Sequence, residues 1–383
     1  MRSGGGAFWA GRRVVLMTWR DTGNPEGGGA EVYLEQVAHG LVELGAEVTC
    51  FTATYDGAPA DELVDGVRYV RRGGKLSVYL WGMLLLLTGR LGRPDVVVDV
   101  QNGLPFFTRL VTRRPVVVLV HHVHREQWPV VYPGAKGRVG WWIESRLAPR
   151  LYRACQYVAV SRATRAELNR YRVSPDRIAV VHNGTDLGID AHPSKTSHPS
   201  ICVVGRLVPH KRVEHAIDAA VRLREEFDGL RLTIVGSGWW EDELKAHAAE
   251  RGAGDTVEFL GHVDDQTKLA VYERSWVLAV PSLKEGWGLV ITEAGRCSTP
   301  SVAYRAAGGT TESIVDGVSG LLVEDQAEFD DRLREVLADE VLRKQLGEGA
   351  YWHAAAHTWD QSRLNFAAVL KAAVCGERVA VSD

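Results

Sequence analysis

Nowhere do two cysteines form a Cys-x-x-Cys pair. The five present (Cys50, Cys155, Cys202, Cys297, Cys375) are scattered and odd in number. They predict neither a disulfide framework nor a zinc knuckle, and they suit a reducing cytoplasm. A basic excess is missing as well. Lys and Arg number 45 against 48 Asp and Glu, a formal net charge of -3, so no nucleic-acid partner is expected. The opening "MRSGGGAFWAGRRVVLMTW" has basic residues but no apolar stretch before a small-residue cleavage site, and predicts no export signal. No apolar run reaches the ~20 residues that span a bilayer. The segment that comes nearest, "LSVYLWGMLLLLTGRL" (residues 76–91), reads as a buried core helix, with peripheral contact to the inner face of a membrane as the alternative.

What is present is a soluble globular composition, 45% hydrophobic and 24% charged, in 383 residues. That length suggests two domains. Strand-like and helix-like segments alternate throughout, the signature of parallel sheets covered by helices. "RRVVLMTW", "AEVTCFTA", "PDVVVDV" and "RPVVVLV" are short apolar strands, and "GGAEVYLEQVAHGLVELG" is a helix between the first two. The pattern breaks at "TDLGIDAHPSKTSHPS", a linker by composition, and resumes through "SICVVGRL", "LRLTIVG", "TVEFLG" and "WVLAVPS". Two doubly wound α/β domains are therefore expected, residues 1–190 and 191–383. Sheets of this kind bind ligands beyond the carboxyl ends of their strands, and the polar, glycine-rich pieces mostly fall there.

Five such pieces stand out. "NPEGGGAE" supplies Gly28 and Gly29 where a helix starts, suiting an anion or serving only as a flexible turn. "VVGRLVPHK" places Arg206 and Lys211 on one loop, where they can converge on a diphosphate unless they are merely solvated charge. "IVGSGWWEDEL" sets Gly236 between strand and helix but lacks the third glycine of a dinucleotide fingerprint. "VVVLVHHVHREQW" offers His121, His122 and His124 after a strand, with no partner cluster at metal-ligand spacing. A single functional histidine, best placed at His121, is the favoured reading, although the choice among the three stays open.

The fifth piece is "KEGWGLVITEAG", with Glu285 and Glu293 separated by seven residues. A helix beginning near Leu289 leaves Glu285 on the loop and Glu293 one turn inside. The two carboxylates then do not face each other across a scissile bond, and the amides from Gly286 to Val290 lie between them.

Taken in order, the Gly-rich loop, the strand followed by His, "GRLVPHK", "VGSG" and Glu-x7-Glu resemble the retaining glycosyltransferases of family 4. The likeness continues in "VSRATRAEL", "VVHNGTD", "FLGHV" and "GGTTESIVDGVSGLLV". It implies the GT-B fold, two Rossmann-like domains facing across a cleft. The first would bind the acceptor and the second the nucleotide-sugar donor, with a last helix (about 359–375) crossing back to the first. It further implies that Arg206 and Lys211 hold the donor diphosphate, with Gly28 and Gly29 closing over it. Glu285 would contact the sugar hydroxyls, helped by the amides of Gly286, Trp287, Gly288, Leu289 and Val290. Glu293 would take the ribose, Gly236, His262 and Val263 would border the base, and His121 would lie near the anomeric centre. No cofactor and no metal are implied, and the sequence contains no Asp-x-Asp.

Two departures fall in supporting loops: "STP" (Ser298 to Pro300) where the family more often has Gly-Thr-Pro, and "HNG" (His182 to Gly184) for Pro-Asn-Gly. The expected activity is transfer of a sugar from a UDP- or GDP-sugar to a hydroxyl on a glycan, a lipid or a small molecule. A GT-B sugar-nucleotide epimerase and a non-catalytic nucleotide-sugar-binding subunit are the alternatives. An epimerase turns over donor with no acceptor present.

Overall fold

The computed structural model describes residues 5–186 and 194–380; much of the linker read from the sequence lies outside them. The chain divides into two compact units. Unit 1 comprises residues 1–183 together with 359–383, and unit 2 residues 184–358.

Unit 1 is built on eight strands: β1 (Arg13–Met17), β2 (Glu47–Thr52), β3 (Asp61–Val64), β4 (Val67–Arg71), β5 (Val96–Val100), β6 (Val116–Val120), β7 (Gln156–Ala159) and β8 (Ile178–Val180). Their order is β3-β4-β2-β1-β5-β6-β7-β8, parallel except for the β3–β4 pair. The order reverses between β1 and β5, which is where an open α/β sheet leaves a ligand crevice. Valine-rich β5 and β6 are buried at every position because helices cover both faces. The β3–β4 hairpin was not anticipated from the sequence. It turns on Asp65 (φ 48°) and Gly66 (φ 80°), the two left-handed residues of a tight hairpin loop, and Asp-Gly is the signal that announces such a turn.

The helix Gly29–Glu43 buries Tyr33, Leu34, Val37 and Leu41. The C-terminal helix Trp359–Cys375 packs beside it. Gly40 allows that approach, since a Cβ there would stand 2.6 Å from the Arg363 Cβ.

The reading of residues 76–91 as a buried core helix needs correction. The helix Ser77–Leu87 buries only Val78, Gly82, Leu85 and Leu86. Gly82 sits so close to Met17, Phe51 and Phe106 that any side chain would collide with them. The opposite side carries Leu80, Leu84 and Leu87 at 70%, 49% and 63% exposure. Apolar residues surround this helix, so composition alone did not reveal which side packs. Among the described residues no helix is long and apolar enough to cross a membrane.

Unit 2 is a six-stranded parallel sheet of β9 (Ser200–Val204), β10 (Arg231–Val235), β11 (Val257–Gly261), β12 (Val277–Val280), β13 (Ser301–Tyr304) and β14 (Gly320–Val323). The order β11-β10-β9-β12-β13-β14 is the 3-2-1-4-5-6 winding of nucleotide-binding sheets, reversing between β9 and β12. Along β12, Val277 and Ala279 belong to one apolar cluster while Leu278 and Val280 belong to another. The two-residue repeat of a strand thus feeds both faces of the sheet.

Candidate functional site

In unit 2 the candidate residues gather at the reversal point. The loops after β9 and β12 line one small cavity that includes Arg206, Lys211, Ser282 and Glu285. The Leu283 N–H donates to the His210 carbonyl (2.8 Å), tying the two loops together. Lys211 Nζ donates to Glu285 Oε1 at 2.5 Å, with the lysine side chain 22% and the glutamate 10% exposed. Glu285 is fixed through its backbone as well. Its N–H donates to the Ala307 carbonyl (2.8 Å) and its carbonyl accepts from Gly309 N–H (3.1 Å). A Cβ at Gly309 would lie 2.1 Å from the Gly286 carbonyl oxygen, so only glycine fits. Sequence reasoning gave Gly308 and Gly309 no role of their own; the paired glycines shortly after β13 were the available signal.

The helix Leu289–Arg296 begins where the spacing predicts, capped by Gly288 in a left-handed conformation (φ 90°, ψ 62°). The Trp287 side chain is buried in the core with its ring 4.9 Å from that of His357, which leaves its backbone as the part able to meet a ligand. Glu293 is nine-tenths buried and lies apart from the Lys211 cavity. It accepts from Tyr272 Oη (2.8 Å) and Lys268 Nζ (3.2 Å). Burial pushes its carboxyl above the usual carboxylate range, while Lys268 and the Tyr272 hydrogen bond pull the other way.

The glycines of "VGSG" answer first to their own backbone. A Cβ at Gly236 (φ 125°) would be 1.9 Å from the Gly205 carbonyl, and one at Gly238 would be 2.1 Å from that of Leu207. Their bareness lets the β10 loop lie against the loop carrying Arg206. His262 is exposed and Val263 half-buried just past β11.

In unit 1 the three histidines separate clearly. His122 Nε2 pairs with Gln127 Oε1 (3.1 Å). His124 pairs with Glu144 Oε1 (3.0 Å) through Nδ1 and with Asn102 Oδ1 (2.8 Å) through Nε2. His121 instead is buried edge-on to Tyr33, ring centroids 5.4 Å apart, and its Nε2 has no hydrogen-bond partner among the described residues. Burial lowers its pKa from 6.5 to about 4, with Glu31 opposing. The imidazole is therefore neutral at pH 7.

A stability prediction follows from that shift. Between pH 6.5 and 4 the unfolded chain gains a proton on this ring that the folded chain does not. Stability is thus fully present above 6.5 and falls as the pH drops towards about 4, by a total of about 3 kcal/mol. Urea titrations from pH 7 to 4 check this. The fall should be shallower for His121→Gln than for the parent, and parallel curves would refute it.

The Gly-rich loop is held by buried ion pairs. Arg71 Nε meets Asp21 Oδ2 at 2.7 Å and Arg20 Nε meets Glu31 Oε1 at 3.2 Å. Glu31 Oε2 also accepts the Gly28 N–H (2.8 Å). That amide is committed within the protein, and the following amides, from Gly29 and Ala30, are those a helix start leaves without an intrahelical acceptor.

Two acids that the sequence reading passed over organise the loops beside it. Asp99 accepts from Phe106 N (2.8 Å), Thr108 N (3.2 Å), Thr108 Oγ1 (2.7 Å) and Tyr152 Oη (2.5 Å). Glu144 accepts from His124 N (3.1 Å) and Trp128 Nε1 (2.6 Å) besides pairing with the His124 ring. An aspartate amid valines in "VVVDV" was a readable signal; Glu144 in "WWIESR" had none. Among the described residues no three His, Cys, Asp or Glu side chains are grouped to hold a metal ion.

Comparison with known proteins gives the family. Residues 27–188 match the family described as Glycosyltransferase Family 4, and residues 188–353 that described as Glycosyl transferases group 1. The D-inositol 3-phosphate glycosyltransferase of Acidothermus cellulolyticus is 30% identical over 430 aligned positions, covering 99% of this chain and 94% of that protein. The chain belongs to glycosyltransferase family 4.

The D-inositol 3-phosphate glycosyltransferase of Actinosynnema mirum is also 30% identical, over 89% of this glycosyltransferase and 91% of its own length. Among solved structures, sucrose-phosphate synthase from Thermosynechococcus elongatus superposes with a TM-score of 0.79 at 20% identity, covering 94% of this chain and 98% of that one. WaaG, a glycosyltransferase involved in lipopolysaccharide biosynthesis, superposes at 0.74 and 16% identity, covering 93% and 99%. The fold is GT-B, as the resemblance implied.

Proposed function

We propose that this glycosyltransferase moves a sugar from a UDP- or GDP-sugar to an acceptor hydroxyl, with retention of configuration and without a bound metal. The observation that carries the reading is the Lys211–Glu285 contact in the cavity shared with Arg206 at the reversal point of unit 2. A departing nucleoside diphosphate accumulates negative charge, and fixed cations beside a helix start stabilise it. Arg206 and Lys211 take that role. Glu285 accepts from the sugar hydroxyls, with the amides of residues 286–290 behind it. Glu293, already oriented by Tyr272 and Lys268, keeps lone pairs for the ribose hydroxyls. The backbone at Gly236, His262 and Val263 borders the base. Unit 1 is read as acceptor-binding, contributing the Gly28–Gly29 turn and the neutral imidazole of His121.

A screen of nucleotide sugars by thermal shift and turnover tests this. One nucleotide class should raise the melting temperature, since ligand at 100 times its Kd adds about 2.7 kcal/mol. EDTA should leave turnover unchanged, and the product should keep the donor's anomeric configuration by NMR. The names of the relatives make D-inositol 3-phosphate the first acceptor to try. A strict metal requirement or an inverted product would defeat the proposal.

The reading includes a cytoplasmic location with peripheral contact at a membrane surface. The outward leucines of Ser77–Leu87 are flanked by Arg72, Lys75, Arg90 and Arg93, and no acidic residue occurs from Val67 to Pro94. That is the make-up of an interfacial helix on anionic lipid. Sedimentation with phosphatidylserine vesicles should be lost in Leu80→Ser/Leu84→Ser and retained with neutral vesicles to a much smaller extent. Equal pelleting of the variant would remove this part.

A further inference from the structure

At the other end of the unit 1 sheet from His121, a cavity of about 400 Å³ opens where β6 and β7 begin. The length of β6 puts it about 13 Å of strand away from His121. Five arginines are among the residues that line it: Arg109, Arg113, Arg114, Arg177 and Arg378. Arg378 is paired with Asp176 (3.0 Å). The other four have no carboxylate partner among the described residues. Arg109 and Arg177 share the lining with the buried Cys155. Glu377 is the one acidic residue in the lining.

Cations gathered in a concave site repel one another, and a cleft lined by one sign of charge concentrates counter-ions. One basic group suffices to complement the end of the Trp359–Cys375 helix, so five exceed what the fold needs there. Guanidinium forks match phosphate oxygens in pairs, and several forks in one cavity suit an anion that presents several phosphates together. We propose that this cavity binds an oligophosphate, a small anion of two or more linked phosphates, at a site separate from the one that carries out transfer.

Calorimetric titration of the full chain with inorganic tripolyphosphate tests the assignment, with orthophosphate as comparison. Because Arg206 and Lys211 could also attract the probe, two double variants are compared. Arg113→Gln/Arg177→Gln should weaken tripolyphosphate binding at least about tenfold, the equivalent of about 1.4 kcal/mol, while sugar transfer without the probe stays at the parent level. Arg206→Gln/Lys211→Gln should keep the site, and orthophosphate should bind at least about tenfold more weakly than tripolyphosphate. Unchanged binding in the first variant, or loss in the second alone, would overturn the proposal. Equal affinity for the two probes would do the same. Matching melting temperatures confirm that the first variant is folded. Failure here would leave the transfer reading untouched, since none of these arginines takes part in it.

Discussion

Lys211→Ala is expected to lower kcat/KM for sugar transfer by about 10²–10³-fold, the usual loss on removing one fixed charge-stabilising group from a transition state. The amine does two things at once. In the proposed reaction it supplies a cation to the departing diphosphate, and at 2.5 Å it compensates the nearly buried Glu285 carboxylate. Without it, an uncompensated carboxylate remains where the proposal places the anionic donor, and repulsion adds to the lost attraction. The double variant Lys211→Ala/Glu285→Gln separates the two effects. Donor affinity should partly return because the repulsion is gone, whereas kcat should stay low. Lys211→Arg keeps the charge but not the reach, and should retain intermediate activity. Steady-state kinetics over donor concentration give the answer; a loss of less than about fivefold in Lys211→Ala would mean that the diphosphate is held elsewhere.

The second large effect concerns stability. Asp99→Ala would leave the Phe106 and Thr108 amides and the Thr108 and Tyr152 hydroxyls, all now bonded to one carboxylate, without that acceptor in the interior. Each stranded donor costs roughly 1–3 kcal/mol, so the total is about 4 kcal/mol. For a domain of this size that corresponds to a fall in melting temperature of about 8–16 °C. Tyr152→Phe removes one bond while the carboxylate keeps its other donors, and should cost about 1 kcal/mol. Calorimetry on the three proteins measures the difference. A drop below about 2 °C in Asp99→Ala would show that water replaces the carboxylate at little cost.

Much of the fold could be read in the sequence because its parallel strands are continuous apolar runs and its helices begin at glycine-rich loops. The start of the helix carrying Glu293 was legible because Gly286 and Gly288 leave few other places for it. Less legible were features that depend on partners distant in the chain. Glu144 meets His124 and Trp128 across a loop, and no local pattern marks such a carboxylate. The outward side of Ser77–Leu87 escaped notice for the opposite reason: leucines on every side of a helix erase the periodicity that distinguishes its faces. The glycines of "VGSG" could be placed between strand and helix, but not the group they face, which is the neighbouring backbone at Gly205 and Leu207.

The divided composition of unit 1 has a consequence for biosynthesis. Tyr33, in the first helix of that unit, packs edge-on to Trp359 and Phe366 at ring separations of 6.1 Å each. A ribosome making this chain from its amino end produces all of unit 2 before it reaches that final helix. Domains fold as units as they emerge, so the second unit in the sequence is the first able to finish. Until the last helix arrives, the nascent amino-terminal portion keeps an aromatic face uncovered. Arrest of translation just before Trp359 would strand it in that state.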